Sequence, residues 1–267
     1  MSGGVWLDLT GPLARVTLSH AGKLNAMSRA MWRELRLVFA GIQQDPHIRC
    51  VLIRGEGAHF CAGGDISEYA AFRFETRSLR DFHEGDVWGG LSAMLNCDVP
   101  IVAQIEGNCM GAGIEIASCC DLRIAGASAR FGAPIAKLGF PMAPREAALV
   151  VRAVGELTAR EMLLAASVLD AAQMLQRGFL SSVVSGADSA QLASEAQACA
   201  DRICTLAPAA ARLNKQSLRA LAQSKSASPA IDSVADGDFS AYQYADTHEH
   251  REGIAAFVER RPPQFQV

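Results

Sequence analysis

Apolar and polar positions alternate over residues 5–9, break at Thr10-Gly11-Pro12 and alternate again over 15–18, which predicts an antiparallel hairpin. The period then changes. Met31, Leu35, Val38, Phe39 and Ile42 recur at the spacing of one helical face, with Ser28 placed to cap the helix and Asp45-Pro46 to end it. An apolar run at 50–53 predicts a short buried strand. The pattern continues with a helix over 79–95, a strand over 101–105, a glycine-dense turn over 107–113, a short helix and a strand over 122–125. Beyond residue 145 helices dominate, over 145–154, 157–166, 187–206, 209–222 and 250–260, the last stopped by Pro262-Pro263. Residues 224–228 are mostly small and polar and run into Pro229, the signature of a loop. Strand signals end by about residue 200 and no segment repeats at a fixed period. The pattern predicts an α/β body over 1–200 followed by a helical extension over 201–267.

Composition narrows the function classes. Half of the 267 residues are hydrophobic and 20% are charged, so the chain can bury a sizeable core without disulfides or metals. Lys and Arg number 25 against 28 Asp and Glu, a net charge of −3, which argues against nucleic acid or an anionic membrane as partner. The eight cysteines form no C-x-x-C pair and most lie among apolar residues, as expected of buried reduced thiols. The first residues carry no basic region followed by an apolar core, and every apolar stretch is interrupted before it reaches bilayer length. A soluble, cytoplasmic protein is expected.

Two stretches place glycine where a chain must approach a ligand: Phe60-Cys61-Ala62-Gly63-Gly64-Asp65-Ile66, and Gly107-Asn108-Cys109-Met110-Gly111-Ala112-Gly113-Ile114-Glu115. Each runs from a strand, through residues without bulky side chains, into a helix. Such a junction exposes backbone N–H groups at the positive end of a helix. Two facing junctions make an oxyanion hole; taken singly, each glycine run serves equally for tight turns and close helix packing. Neither has the G-x-G-x-x-G order of a dinucleotide site. His248-Glu249-His250 lacks an evident third metal ligand, and no P-loop, zinc ribbon or nucleophile elbow is present.

Six segments in order resemble the enoyl-CoA hydratase/isomerase, or crotonase, superfamily over nearly the whole chain. They are Lys23-Leu24-Asn25-Ala26-Met27-Ser28, the Phe60–Ile66 stretch, Gly111-Ala112-Gly113-Ile114-Glu115, Cys120-Asp121-Leu122-Arg123-Ile124-Ala125, Phe131-Gly132-Ala133-Pro134 and Glu252-Gly253-Ile254-Ala255-Ala256-Phe257. The resemblance implies a spiral of ββα turns with a C-terminal helical region, assembled as a trimer or a dimer of trimers. It implies an acyl-CoA thioester as substrate, with the thioester oxygen between the N–H groups of Gly64 and Ala112 and Glu115 as the carboxylate that moves a proton. Ala26, Ala62, Gly63, Asp65 and Ile66 fall where the family borders CoA. Lys23 falls near its phosphates, and Arg260 and Arg261 where a neighbouring subunit supplies a cation. No redox cofactor or metal is implied, since the oxyanion hole does the electrophilic work, and CoA is part of the substrate.

One departure bears on the reaction. Hydratases of this family carry a second glutamate after the Phe-Gly-x-Pro segment, and here that position is Ile135. Pro141-Met142-Ala143-Pro144-Arg145-Glu146 also replaces a glycine-rich run near the acyl pocket, so Glu146 is either a substitute carboxylate or a surface residue at a helix start. His83, Glu84 and Asp86 read as a polar helix face over that pocket. The first expectation is hydration of a 2-enoyl-CoA. The alternatives are other enolate chemistry on acyl-CoA (hydrolysis, decarboxylation, isomerisation) or an inactive thioester-binding protein.

Overall fold

Strands β1 (Gly4–Thr10) and β2 (Leu13–Ser19) form the expected antiparallel hairpin, in register Val5 with Leu18. The structure is a computed structural model and describes residues 3–185, 189–223 and 240–265. The loop expected at 224–228 lies outside these residues, as does the expected start of the 187–206 helix. From β2 the sheet grows by parallel pairing through β3 (Cys50–Gly55), β4 (Ile101–Ile105), β6 (Leu122–Gly126) and β9 (Ser182–Val184), giving the order β1-β2-β3-β4-β6-β9. Parallel strands need cover on both faces, and the period of two in the side chains supplies it. Leu13, Cys50, Leu52, Val102 and Ile124 pack on one side with Leu192, Ala196 and Ala200 of α8 (Ser189–Cys204). Val16, Val51, Ile53, Ala103 and Ile105 join the larger core on the other side. The 200/201 boundary drawn from the sequence falls inside α8, whose Ala200 and Ile203 belong to the same apolar layer. All eight cysteines are free thiols, seven of them buried.

Helix α1 (Arg29–Gln44) buries Met31, Leu35, Phe39 and Ile42 as expected from their spacing; Trp32 is buried with them, and Val38, also expected on that face, is partly buried. The Ser28 hydroxyl accepts from the Met31 N–H at 3.2 Å, satisfying one of the donors that a helix start leaves open. Ser28→Ala is expected to cost about 1 kcal/mol, read as a lower urea midpoint with an unchanged m-value.

Two expectations need correction. The continuous helix over 79–95 is α2 (Thr76–Asp81), a π-helical turn over Phe82–Val87, and α3 (Trp88–Asn96). Such widened turns cluster at functional positions, and this one carries His83 to a cavity and Asp86 onto α1. There the Asp86 carboxylate accepts from Arg29 Nε and Arg33 Nε, each at 2.7 Å. The turn expected at 107–113 contains strand β5 (Asn108–Met110), which pairs parallel with β7 (Arg130–Gly132). β7 in turn pairs antiparallel with β8 (Val168–Asp170) in a second, three-stranded sheet. Strands of three residues are too short to show a period. For the same reason β8 and β9 leave no signal in the helix-rich second half.

Candidate active site

The two glycine stretches lie side by side. The Cys61 N–H donates to the Asn108 carbonyl and the Met110 N–H to the Cys61 carbonyl, both at 2.9 Å, so the chain leaving β3 is laced to β5. A Cβ on Gly113 would come within 2.6 Å of the Cys61 carbonyl oxygen, so only glycine permits this approach. Gly111 has φ +48°, a conformation that favours glycine, and it opens the buried helix α4 (Ala112–Ser118). On the other stretch the Met27 N–H donates to the Gly63 carbonyl and the Asp65 N–H to the Met27 carbonyl, both at 2.8 Å. These bonds use the groups on either side of Gly64 and leave its own N–H free. Neither Gly64 nor Ala112 gives its N–H to an acceptor among the described residues, and both border a cavity of about 360 Å³.

The cavity wall is largely apolar. Trp32, Tyr69, Phe82, Val87, Phe140 and Met142 supply much of it. The Tyr69 ring meets those of Phe72, Phe82 and Phe140 edge-on at centroid distances of 5.8–6.3 Å. Burial raises the Tyr69 hydroxyl to about 12, so it stays protonated at neutral pH. Arg73 also lines the cavity, with its guanidinium 3.9 Å from the Phe140 ring centroid and 4.3 Å from that of Tyr69.

Glu115, Glu146 and His83 also line this apolar space, as does the exposed Lys137. Glu115, in the first turn of α4, is 7% exposed and its carboxyl has no hydrogen-bond partner among the described residues. Burial pushes its pKa well above the usual carboxylate range, and the nearby charge of Glu146 pushes the same way. Glu146 stands in the first turn of α5 (Pro144–Val154), is 4% exposed, and has its Oε1 at 2.7 Å from His83 Nδ1. Pro144 at the helix start needs no hydrogen bond for a missing N–H, and it sets the turn from which Glu146 points inward.

The structure therefore decides between readings the sequence left open. Glu146 is buried on the cavity wall and is not a surface residue at a helix start. His83, Glu84 and Asp86 do not form one polar face. His83 lines the cavity, Asp86 is buried against α1, and only Glu84 is exposed, at 3.3 Å from Arg145 Nε. Ile135 sits on the same wall as the two glutamates, at the start of a short 3₁₀ turn. Of the residues expected to border CoA, Ala62, Gly63 and Ile66 line the cavity, while Lys23, Ala26, Asp65 and Arg260 lie outside its wall. Lys23 Nζ instead donates to Asp65 Oδ2 at 2.6 Å and to the Ser67 hydroxyl at 2.8 Å. Burial pushes the Asp65 carboxyl up, but the bond from Lys23 and those that the Ser67 hydroxyl and N–H donate to Asp65 Oδ1 outweigh it and hold its pKa below the ordinary value. Arg260 ends the last helix, α10 (His248–Glu259), with φ +56°, and Arg261 is engaged by Glu252 and Glu259.

The sequence points to residues 69–88 as the acyl lining but does not resolve Tyr69 or Arg73 within it, since an aromatic or cationic side chain in an irregular segment carries no period to read. No group of three or more potential metal ligands occurs among the described residues, and Glu249 of the His-Glu-His run accepts from the Ala209 N–H that opens α9 (Pro208–Gln223). Among the described residues no helix is long and apolar enough to cross a membrane.

Known proteins resemble this chain over nearly its whole length. The family model described as enoyl-CoA hydratase/isomerase matches residues 9–267. A Mycobacterium bovis protein named "Probable enoyl-CoA hydratase echA8" is 33% identical over 257 residues, covering 94% of this chain and 93% of that one. The short-chain-enoyl-CoA hydratase of Clostridium acetobutylicum is 30% identical, covering 96% and 95%. Among solved structures, an enoyl-CoA hydratase/carnithine racemase from Magnetospirillum magneticum superposes with a TM-score of 0.89 at 32% identity, covering 98% and 95%. With its pair of glycine junctions, its spiral of strands and a match over nearly its full length, this chain belongs to the enoyl-CoA hydratase/isomerase family.

Proposed function

We propose that this enzyme adds water to a 2-enoyl-CoA thioester, using Glu115 and Glu146 as its pair of carboxylates. The observation that carries the reading is that Glu146, from α5, stands on the cavity wall with Glu115, although Ile135 leaves the usual second position without a carboxylate. The thioester oxygen lies between the N–H groups of Gly64 and Ala112, which strengthen their hold as negative charge builds on it. Glu146 takes a proton from water as the water oxygen bonds to Cβ. Glu115, kept neutral by burial and by the charge of Glu146, passes its proton to Cα. Solvent then restores both groups. Hydration changes no overall oxidation state, so the scheme calls on no redox cofactor, and CoA enters and leaves as part of the substrate.

Ala62, Gly63 and Ile66 border the CoA side of the cavity, with Ala26, Asp65 and Lys23 further out towards its nucleotide and Arg260 supplied by a neighbouring subunit. A homotrimer or dimer of trimers, assembled through residues 201–267, is supported by the exposed Phe257 and Val258 of α10. Light scattering tests that assembly, which is expected in the cytoplasm.

The reaction is tested with crotonyl-CoA and resolved products. A 3-hydroxyacyl-CoA supports hydration, whereas free CoA points to thioester hydrolysis. Binding without turnover makes the protein a silent binder, the reading that Ile135 favours. Glu146→Gln is expected to lower turnover by about 100-fold. It should also move the titration of Glu115, followed by carboxyl ¹³C NMR, to lower pH, because the like charge beside it is gone. An unmoved Glu115 titration would mean that the two groups do not interact.

A further inference from the structure

We infer that His83 is a positioning residue for Glu146, holding one carboxylate oxygen by its Nδ1–H so that the other faces the water to be activated. The inference rests on the reading of Glu146 as the base. Its ground is geometric. His83 Nδ1 and Glu146 Oε1 are 2.7 Å apart, and the two side chains are only 16% and 5% exposed. His83 is the sole hydrogen-bonding partner of the Glu146 carboxylate among the described residues.

The arginines on the surrounding elements are otherwise engaged, and Lys137 on the cavity wall is exposed and makes no ion pair with Glu146 among the described residues. Arg145 of α5 faces Glu84, Arg29 and Arg33 of α1 hold Asp86, and Arg73 lies over the Tyr69 and Phe140 rings. Glu115 of α4, held neutral by burial, makes no hydrogen bond to Glu146 among the described residues and so does not orient that carboxylate. The glutamate side chain has three rotatable bonds, and without a donor nothing selects the rotamer that a water needs.

The widened turn of Phe82–Val87 supplies that donor from outside α5. The His83 ring is itself braced edge-on by Phe82, at a centroid distance of 5.0 Å and 69°. A bond from Nδ1 to the carboxylate requires the proton on Nδ1, leaving Nε2 for the cavity or solvent. The arrangement uses a residue of the widened turn to hold a base that projects from another helix in a defined orientation.

Three variants test this on the hydration assay. His83→Leu removes the donor and is expected to lower kcat about tenfold or more, with KM within about twofold of wild type. His83→Asn places an amide N–H close to where Nδ1 stands and is expected to keep most of kcat. His83→Gln places its amide nearer the position of Nε2 and is expected to behave like His83→Leu. In a Glu146→Gln background the Leu change should cost little further, since the group being positioned is gone.

Wild-type kcat in His83→Leu overturns the inference, as does equal loss in the Asn and Gln variants or full additivity with Glu146→Gln. The Asn and Gln pair decides the matter even if the Leu variant does not fold. A wild-type protein that forms no hydrated product would instead refute the reading of Glu146 on which the inference rests.

Discussion

Glu115→Gln is expected to lower kcat for hydration by about 100-fold to 10,000-fold, the usual worth of a positioned acid or base, and at the same time to raise the melting temperature. Both effects follow from the same surroundings. Glu115 has no hydrogen-bond partner among the described residues, is 7% exposed, and borders a cavity whose wall is mostly apolar. Burial comes first in raising its pKa and the charge of Glu146 second. The raised value keeps the proton available for transfer at neutral pH, so kcat should fall on the alkaline side as pH passes through it.

Stability has the same sign. A carboxyl whose folded pKa exceeds its unfolded pKa contributes fully only below the unfolded value, and that contribution is lost as pH rises through the folded value. Glutamine cannot ionise, so the variant escapes the loss, and its advantage grows with pH above the ordinary carboxylate range. A gain of about 1 kcal/mol corresponds to roughly 2–4 °C for a chain of this size. Calorimetry at pH 5 and pH 8 checks it. Loss of activity with loss of stability would point to a structural role for Glu115.

Ala112→Pro is the second large effect. A side-chain replacement cannot remove a backbone N–H, but proline can. Ala112 is the first residue of α4, where proline is tolerated because that N–H has no partner within the helix. Gly111 before it has no Cβ to meet the ring. The variant is therefore expected to fold, and to lose about 100-fold to 1,000-fold in kcat, the measured scale for one oxyanion donor. The control is Ala112→Ser, which keeps the N–H and should stay within about tenfold of wild type. Circular dichroism separates loss of the donor from loss of the helix. Equal activity in the proline variant would show that the Ala112 N–H does not touch developing charge.

Much of the architecture was legible because it rests on local periodicity. The amphipathic face of α1 is written in a spacing of 3.6 and the hairpin in a spacing of 2, the buried strand β3 shows as a short apolar run, and Ser28 marks its helix start by residue type alone. The two glycine stretches were legible as well. The glycines at 63, 64, 111 and 113 are spaced for close approach, and Gly113 against the Cys61 carbonyl shows how close. What periodicity could not carry was missed or misread. The three-residue strands β5, β7, β8 and β9 are held by partners distant in the chain. The π-helical turn over Phe82–Val87 breaks the very period from which a helix over 79–95 was read.

The order of motifs along the chain determined the family, and the charge balance and residue types determined which chemistries stay open. The tertiary structure alone decided which polar groups share one dry space. Glu146 is 31 residues beyond Glu115, and His83 is 63 residues before Glu146. In sequence both are ordinary polar residues at helix starts or on helix faces. A polar side chain signals nothing about its burial until distant segments pack around it. Here the packing of α4, α5 and the widened turn against one cavity converts two solvated-looking residues, Glu146 and His83, into a second carboxylate and its partner beside the buried Glu115.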